Sequence, residues 1–337
     1  MFPNTIQRRR FLGATALVAL APASWFAAHV PGIADTVEDI SQLKPGQFTW
    51  HPDRSPAGPV AIIVSLPDQM VHVYRNGIRI AVSTCSTGKP GHGTPTGVFT
   101  ILQKDKNHHS STYNNAPMPN MNRLTWSGVA LHAGQLPGYP ASHGCVRLPL
   151  EFSKLLFTVT HVGTPVIIAD AHSAPKLVSH PGLVLGQYAE HEFDDATAKL
   201  KAKPVAHPDD ANAAAVSVIV SGADKTIEII ENGDTVAKGP ATISEPDKPL
   251  GSHVFILSHP DNGAKGLAWH AIGHAAGDGS ASEPDQSVIT RIRAEPDVVE
   301  AMKQRMHAGL VLVTTDLPST PDSRTGKDFV ILNQGDA

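Results

Sequence analysis

The stretch Leu131-His132-Ala133 is followed by Ser142-His143-Gly144-Cys145-Val146-Arg147-Leu148. A cysteine needs a base to act as a nucleophile, because a free thiol is mostly protonated at neutral pH. If the second stretch is extended, His143 and Cys145 leave the same face of the strand, since side chains at i and i+2 do so. Gly144 lacks a Cβ, so a substrate carbonyl can approach the backbone N–H of Gly144 or Cys145. The pattern predicts Cys145 as nucleophile, His143 as general base and an oxyanion site at Gly144.

His132 follows the apolar run Val129-Ala130-Leu131, which predicts a neighbouring strand. We expect His132 to orient His143, to donate to the oxyanion or to position substrate, with a purely structural role as the alternative. Arg147 is expected either to bind a substrate carboxylate through two hydrogen bonds or to brace the loop. His132, His143 and Cys145 are also residue types that bind zinc, but no acidic base accompanies them at a recognisable spacing. We therefore expect no metal and no cofactor.

These residues resemble the signature of the L,D-transpeptidase catalytic domain of the YkuD type. Further segments occur in the order that this family has them: Ser86-Thr87-Gly88-Lys89-Pro90, Thr94-Pro95-Thr96-Gly97-Val98-Phe99, Met118-Pro119 and Arg123-Leu124-Thr125. The resemblance covers about residues 58–170, a third of the chain. From it we expect Ser142, Arg147, Met118 and Arg123 to contact the substrate.

The resemblance implies an activity on peptidoglycan stem peptides. In the family, the cysteine attacks the carbonyl of diaminopimelate at the third stem position and expels the terminal D-alanine. An amine of another diaminopimelate then resolves the thioester and forms a 3→3 crosslink. Water as acceptor would make the protein an L,D-carboxypeptidase or endopeptidase, and a protein amine would attach a lipoprotein or outer-membrane protein to peptidoglycan. The non-enzymatic alternative is a cell-wall-binding scaffold, although no scaffold requires a thiol beside a histidine.

The composition excludes several other classes of protein. Of the 337 residues, 41% are hydrophobic and 17% charged, which is typical of a globular chain long enough for two domains. The net charge of −4 does not suit a nucleic-acid-binding protein, so we expect no nucleic-acid partner. The two cysteines exclude a small disulfide scaffold. We interpret Cys85 as a buried strand residue, with a redox-sensitive Cys85–Cys145 pair as the alternative; the oligomeric state is left open.

The N-terminus resembles a twin-arginine export signal. Gln7-Arg8-Arg9-Arg10-Phe11-Leu12-Gly13 precedes a short apolar run from Ala14 to Ala28. Cleavage before Asp35 gives a signal peptide of residues 1–34, while cleavage after Ala23 and an uncleaved anchor are the alternatives. We therefore expect the protein in the periplasm or cell envelope.

Residues 58–172 are predicted to form the catalytic domain, a mostly-β sandwich with few helices, after a linker at residues 35–57. Residues 103–125 are polar and predict a loop-like flap that faces the substrate. Asn76-Gly77 is the strongest hairpin signal in the chain. The remaining predicted elements are strands at Val60–Ser65, Met70–Tyr74, Ile78–Cys85, Val98–Leu102 and Thr164–Ala169, and one helix at Glu151–Thr160.

The second half of the chain repeats the pattern of the first. Residues 216–255 align without a gap with residues 60–99, and Trp269-His270-Ala271 and the segment 307–316 match Leu131-His132-Ala133 and the segment 161–170. Because residues 212–337 contain no cysteine, we predict a degenerate, non-catalytic copy of the catalytic fold there. The connection at residues 173–211 is predicted to be a linker with one helix at Tyr188–Lys201, and Thr325 to Ile331 is predicted as a last strand.

Overall fold

The computed structural model of this chain describes residues 40–111, 114–170, 176–180, 198, 216–231, 234–258, 267–273, 286–316, 318 and 331–332. All of these belong to one compact unit that begins at Ile40. The predicted signal peptide, residues 1–34, lies outside the described residues, and so does the predicted helix Tyr188–Lys201 apart from Ala198. Within the described ranges, no helix is both long enough and apolar enough to cross a membrane.

The chain is mostly β, as predicted. Its strands are β1 (Phe48–Trp50), β2 (Val60–Ser65), β3 (Met70–Arg75), β4 (Ile78–Thr84), β5 (Gly97–Thr100), β6 (Gln103–His109), β7 (Pro117–Arg123), β8 (Ala130–Ala133), β9 (Val146–Leu148), β10 (Pro165–Ala169), β11 (Lys176–His180), β12 (Val216–Ser221), β13 (Thr226–Glu231), β14 (Asp234–Ile243), β15 (His253–Leu257), β16 (Leu267–Gly273), β17 (Ile292–Ala294), β18 (Val311–Thr315) and β19 (Ile331–Leu332). The described helices of the α type are α1 (Leu150–Val159), α2 (Gln286–Thr290) and α3 (Pro296–Arg305).

The first sheet has the strand order β1-β4-β3-β2-β10-β5-β19. β2 and β10 are parallel, and the other pairs are antiparallel. The hairpin predicted at Asn76-Gly77 joins β3 to β4, with φ of +51° and +70°, as a two-residue turn with both central residues at positive φ requires. A Cβ on Gly77 would also lie 2.6 Å from the carbonyl oxygen of Leu257 in the second half, so glycine is needed there for space as well.

The second sheet has the order β11-β16-β15-β18-β12-β13-β14-β17. Five of its strands, β14-β13-β12-β18-β15, are connected as β4-β3-β2-β10-β5 are in the first sheet, again with one parallel pair. Val218 pairs with Leu312 just as Ile62 pairs with Val166. The two sheets also share the position of a β-bulge, which follows Val73 in β3 and Ile229 in β13.

The two sheets share a buried apolar layer, which we call the shared layer. Its residues are Ala61, Ile63, Tyr74, Val98, Ile167 and Ala169 from the first half and Ile219, Ile230, Val254, Ile256, Ile272, Val311 and Val313 from the second. The alternate residues of β2, Val60, Ile62 and Val64, point instead into the core of the first half, as the period of two in a strand requires. The central strands of the first sheet are therefore buried on both faces.

A small third sheet, β6-β7-β8-β9, carries the signature residues. Together with α1 it covers the outer face of the first sheet, where Phe152 of α1 is fully buried among residues of β8, β9 and the first sheet. The prediction that residues 103–125 form a loop-like flap is wrong in its secondary structure, because β6 and β7 are antiparallel strands within it. Their polar sequence follows from the exposure of β6, whose residues are mostly accessible to solvent.

Two segments predicted as linkers contribute edge strands. Within residues 35–57, Phe48–Trp50 form β1 at the edge of the first sheet. Within residues 173–211, Lys176–His180 form β11, which pairs with β16 at the edge of the second sheet. Short edge strands have weak sequence signals because tertiary pairing, not local pattern, makes them extended. Of the last predicted strand, only Ile331 lies in the described residues, and it pairs with Val98 of β5.

The predicted match of Trp269-His270-Ala271 to Leu131-His132-Ala133 does not hold in position. β16 pairs with β15 in the second sheet, whereas β8 lies in the third sheet between β7 and β9. The His270 ring instead packs against Tyr74, with ring centroids 4.8 Å apart, and burial lowers the pKa of His270 to about 4. His270 is therefore a residue of the contact between the halves.

The shared layer predicts that a cavity in the second half destabilises the first. Ile256 is fully buried in β15, and Ile256→Ala should lower the free energy of unfolding by about 2–5 kcal/mol. In a Cys145→Ala background, Cys85 is the one remaining thiol and is buried in the core of the first half. Its labelling under native conditions should then become at least about tenfold faster, because labelling requires the first half to open.

Val236→Ala is the matched control, since Val236 is 39% exposed on β14 and should leave both quantities nearly unchanged. Independent halves would give a different result, in which Ile256→Ala lowers the stability of the second half but leaves the labelling rate of Cys85 as it was.

Candidate active site

The parallel pairing of β8 with β9 brings the two signature stretches together. Leu131 pairs with Val146 and His132 with Arg147. Because Leu131 and Val146 both enter the core, His132 and Arg147 leave the opposite face of the small sheet. Cys145 precedes β9 directly and therefore shares the face of Arg147.

These side chains line a cavity of about 570 Å³. Its lining residues are Ser110, Ala116, Pro117, Met118, Pro119, His132, Ala133, Gly134, Gln135, Ser142, His143, Cys145, Arg147 and Leu150. The cavity thus contains both histidines and the thiol, and the β6–β7 hairpin supplies one wall. The sequence predicts that this region faces the substrate, but it does not single out the individual residues that line the cavity, such as Ala116 and Pro117.

The segment between Ser142 and Cys145 bends instead of running extended, so the premise that places His143 and Cys145 on one strand face is wrong. Gly144 has φ +106°, a backbone conformation that L side chains rarely adopt. The bend is held by Ser142, whose hydroxyl donates to the carbonyl of Cys145 (2.5 Å) and accepts from the N–H of Gly144 (3.2 Å). A Cβ on Gly144 would meet nothing closer than 3.7 Å, so the requirement for glycine is conformational.

A glycine-rich loop, residues 88–94, packs against this bend. The N–H of Lys89 donates to the carbonyl of Ser142 (3.0 Å), and the Thr94 hydroxyl donates to the carbonyl of Gly144 (2.9 Å). Gly88 allows the loop to turn tightly, since a Cβ there would lie 2.0 Å from the carbonyl oxygen of His92. The loop therefore fixes the backbone that precedes Cys145.

The Cys145 thiol lies in a mostly apolar part of the cavity, packed against Met118, Met121 and Ala130. Its S–H donates to the carbonyl oxygen of Gly128 at 3.4 Å. Burial raises the pKa of Cys145, and a backbone hydrogen bond from Ala130 and the charges of Arg147 and Arg123 oppose that rise only in part. The thiol is therefore protonated at neutral pH and needs a base to react.

His132 is buried and uncharged at neutral pH. Burial lowers its pKa to about 4, and the charges of Arg147 and His108 act in the same direction, against a hydrogen bond to Ala133. The Nδ1–H of His132 donates to the carbonyl oxygen of Ala133 (2.8 Å). The tautomer is thereby fixed with the proton on Nδ1, which leaves Nε2 as an acceptor.

His143 is exposed at the mouth of the cavity, where its ring contacts the ring of His92 with centroids 4.8 Å apart. Desolvation lowers the pKa of His143, and the charges of Lys89, His92 and Arg147 lower it further. The imidazole therefore sits in a positively charged surrounding at the cavity mouth.

The four residues expected to contact substrate differ in their placement. Met118 and Arg147 line the cavity, and the guanidinium of Arg147 makes no hydrogen bond or ion pair with the described residues. Ser142 also lines it, but its hydroxyl is engaged by the bend. Arg123 is absent from the lining and donates to Gln103 instead (2.9 Å). Its expected substrate contact is therefore not supported by its position.

Both cysteines are free. Cys85 is buried in the core of the first half, as predicted, and burial raises its pKa far above the usual range of a thiol. In the part of the chain that the structure describes, no three His, Cys, Asp or Glu side chains are close enough together to hold a metal ion.

Comparisons with known proteins converge on one family. Residues 59–168 match the family model of the YkuD L,D-transpeptidase catalytic domain, which supports the resemblance predicted from the sequence. A curated relative, "Probable L,D-transpeptidase 3" from Mycobacterium tuberculosis, is 26% identical over 177 residues, which cover 48% of this chain. The chain spans 63% of the length of that relative.

Solved structures of L,D-transpeptidases are similar to about a third of the chain. One from Stackebrandtia nassauensis is 28% identical and covers 32% of this chain and 54% of its own, with a TM-score of 0.31. One from Mycobacterium tuberculosis is 24% identical and covers 32% of this chain and 56% of its own, also with a TM-score of 0.31.

The bend at Gly144 predicts a specific cost of substitution. Gly144→Ala should lower the free energy of unfolding by about 1–3 kcal/mol, because alanine is strained at φ +106° although the space is free. Chemical denaturation measures this cost. Gly93→Ala is the matched control, since Gly93 lies in the neighbouring loop, has open space around it and has no positive φ. Equal effects of the two substitutions would contradict the conformational explanation.

Proposed function

We propose that this chain, whose residues 59–168 match the L,D-transpeptidase catalytic domain, is a cysteine-dependent acyltransferase that acts on peptidoglycan stem peptides. The observation that carries the proposal is the cavity in which the Cys145 thiol and the buried, neutral His132 imidazole share one face of the small sheet. A protonated thiol and an uncharged imidazole are the protonation states that a nucleophile and its general base have before the proton is transferred.

In the proposed acylation, Sγ of Cys145 attacks the carbonyl carbon of diaminopimelate in the stem peptide, and its proton passes to Nε2 of His132. The C–N bond to the terminal D-alanine breaks as His132 gives that proton to the leaving amine. His132 takes the place of His143 as the base in this proposal, because the Ala133 carbonyl fixes its tautomer, whereas the bend leaves His143 exposed.

The oxyanion of the tetrahedral intermediate is assigned to the N–H of Cys145. The alternative donor, the N–H of Gly144, already donates to the hydroxyl of Ser142. A backbone N–H held by a braced bend needs no reorganisation as negative charge develops, which is the physical basis of oxyanion stabilisation. Ser142 therefore acts as a positioning residue, while Met118 and Arg147 contact the substrate from the cavity wall.

We assign the acceptor as the side-chain amine of a second diaminopimelate, which gives a 3→3 crosslink. This amine attacks the thioester carbonyl, a C–N bond forms, the C–S bond breaks, and the thiol of Cys145 is restored with the proton that the amine loses. The cavity is open at the side of His143, so an acceptor can approach the thioester without displacing the hairpin. Water or a protein amine as acceptor would be recognised by its different product.

We further propose that residues 212–337 are a degenerate copy of the catalytic fold. The shared strand order, register and bulge position support a duplication, and the lack of cysteine in this half supports the loss of catalysis. Its proposed role is to cover the face of β2, β5 and β10 that would otherwise expose the shared layer. Export by the twin-arginine signal of residues 1–34 to the periplasm is part of the same proposal, since peptidoglycan lies there.

The choice of base is tested by His132→Gln and His143→Gln. His132→Gln should lower the rate of D-alanine release from a tetrapeptide donor by about 10²–10⁴, the usual contribution of a general base. Because an imidazole of pKa about 4 must be deprotonated to accept the thiol proton, the wild-type rate should fall only as pH drops through about 4. If His143→Gln caused the greater loss of kcat and His132→Gln the smaller, His132 would not be the base.

The acceptor is tested by incubating the purified chain with disaccharide-tetrapeptide and following the products by mass spectrometry. A crosslinking enzyme gives dimers that have lost one D-alanine, and Cys145→Ala gives none. Monomeric tripeptide alone would replace the crosslinking assignment with a carboxypeptidase. No turnover by the wild type, even with added protein acceptors, would contradict the acyltransferase proposal.

A further inference from the structure

Basic residues from three separate segments lie near His143 at the edge of the cavity. His143 and Arg147 line the cavity, the His92 ring contacts the His143 ring, and the charge of Lys89 acts on His143. Lys89 and His92 belong to the loop 88–94, His143 to the bend before Cys145, and Arg147 to β9. We call these four residues the basic rim. Neither residues 85–97 nor residues 127–148, which contain the rim, include an aspartate or a glutamate.

The backbone holds the basic rim in place. The N–H of Lys89 donates to the Ser142 carbonyl next to His143, and the N–H of His92 donates to the carbonyl of Lys89 (2.9 Å). These bonds bring the rings of His92 and His143 into edge-to-face contact at 4.8 Å and an interplanar angle of 65°. The rim is therefore built by the same loop contacts that fix the catalytic bend.

Arg147 is directed along the cavity wall by a glycine. A Cβ on Gly134 would lie 2.9 Å from Cδ of Arg147, so the alkyl part of that side chain occupies the space that glycine leaves. Its guanidinium makes no hydrogen bond or ion pair within the described part of the chain. A planar guanidinium without a protein partner is suited to a carboxylate, which it binds through two parallel hydrogen bonds.

Basic groups that lie close together repel one another when they are charged, and a bound anion lowers that electrostatic cost. The effect is already visible at His143, whose pKa is lowered by desolvation and by the charges of Lys89, His92 and Arg147. An anion bound between these groups would reverse the sign of the local field and favour the imidazolium form. Anion binding and proton uptake at this site are then linked.

We propose that the basic rim is a carboxylate-binding site and that its affinity rises when His143 is protonated. This inference rests on the proposed function, because a stem peptide supplies carboxylates next to the bond that Cys145 attacks. In this proposal, His143 binds the substrate instead of acting as the general base predicted from the sequence. Lys89 and His92 also take part in substrate recognition. The other titratable or charged groups that act in this cavity are Cys145, His132, and, from the β6–β7 hairpin, His108 and Arg123.

The rim can be measured without peptidoglycan, by comparing the alkylation rates of Cys145 with iodoacetate, which is anionic, and iodoacetamide, which is neutral. Both reagents use the same thiolate, so their rate ratio reports the local potential and not the thiol pKa. Relative to free cysteine, the ratio should favour iodoacetate and should rise several-fold from about pH 8 to about pH 5.5 as His143 protonates. Cys145→Ala gives the background from Cys85, and mass spectrometry locates the label.

Substitutions separate the members of the rim. Lys89→Met should lower the ratio by about two- to five-fold at every pH, the effect of one charge at a partly hydrated site. His143→Gln should flatten its rise toward low pH, and His92→Gln should lower the ratio because it removes the ring that contacts His143. Lys248→Met is the matched control, because Lys248 is an exposed lysine of the second half and should leave the ratio unchanged. A wild-type ratio equal to that of free cysteine, unaffected by all three rim substitutions, would overturn the inference.

The same variants distinguish this inference from the proposed function. With a tetrapeptide donor, His92→Gln and Lys89→Met should each raise KM several-fold with little change in kcat. A preference of Cys145 for iodoacetate without any peptide turnover would support the carboxylate-binding site and contradict the acyltransferase proposal. Turnover with a KM that neither His92→Gln nor Lys89→Met changes would contradict the carboxylate-binding site alone.

Discussion

The shared layer is the constraint on which the rest of the structure depends. β2, β5 and β10 carry apolar residues on both faces, so a single covering of helix and small sheet leaves one face of the first sheet open to water. The second sheet covers that face with its own apolar strands, and Gly77 in the β3–β4 hairpin of the first sheet lies close to the backbone of Leu257. Burial of apolar area on this scale dominates the free energy of folding, so the half that contains Cys145 depends on a half that carries no thiol.

The candidate site depends in turn on the outer face of the first sheet. The third sheet packs there through Leu131, Val146 and Leu148, and this packing forces the alternate residues toward the cavity. His132 and Arg147 thus face the cavity because their neighbours face the core. The chemistry follows from burial, since the same apolar surroundings keep the thiol protonated and the imidazole of His132 neutral.

The electrostatics of the cavity divides it into two parts. Its inner part is apolar and holds the protonated Cys145 thiol and the neutral His132 imidazole. His143 and Arg147 line it as well, and His92 and Lys89 act on His143 by ring contact and by charge. A substrate with a carboxylate beside the scissile bond would be oriented by the basic residues, while its carbonyl group enters the apolar inner part of the cavity. The bend at Gly144 lies between the two parts. The side chain of His143 before the bend is exposed, whereas that of Cys145 after it lies inside the cavity.

Local sequence signals predict the strands with strong alternation, the hairpin at Asn76-Gly77, the helix after Pro149 and the signature that contains Cys145. The placement of the two histidines depends on the tertiary structure. His143 is two residues from Cys145 in sequence, yet positive φ at Gly144 breaks the strand periodicity on which its predicted role rests. His132 is thirteen residues away, and the parallel pairing of β8 with β9 places it on the face of the thiol. Pairing between distant strands depends on the burial of their other faces, which no short stretch of sequence encodes.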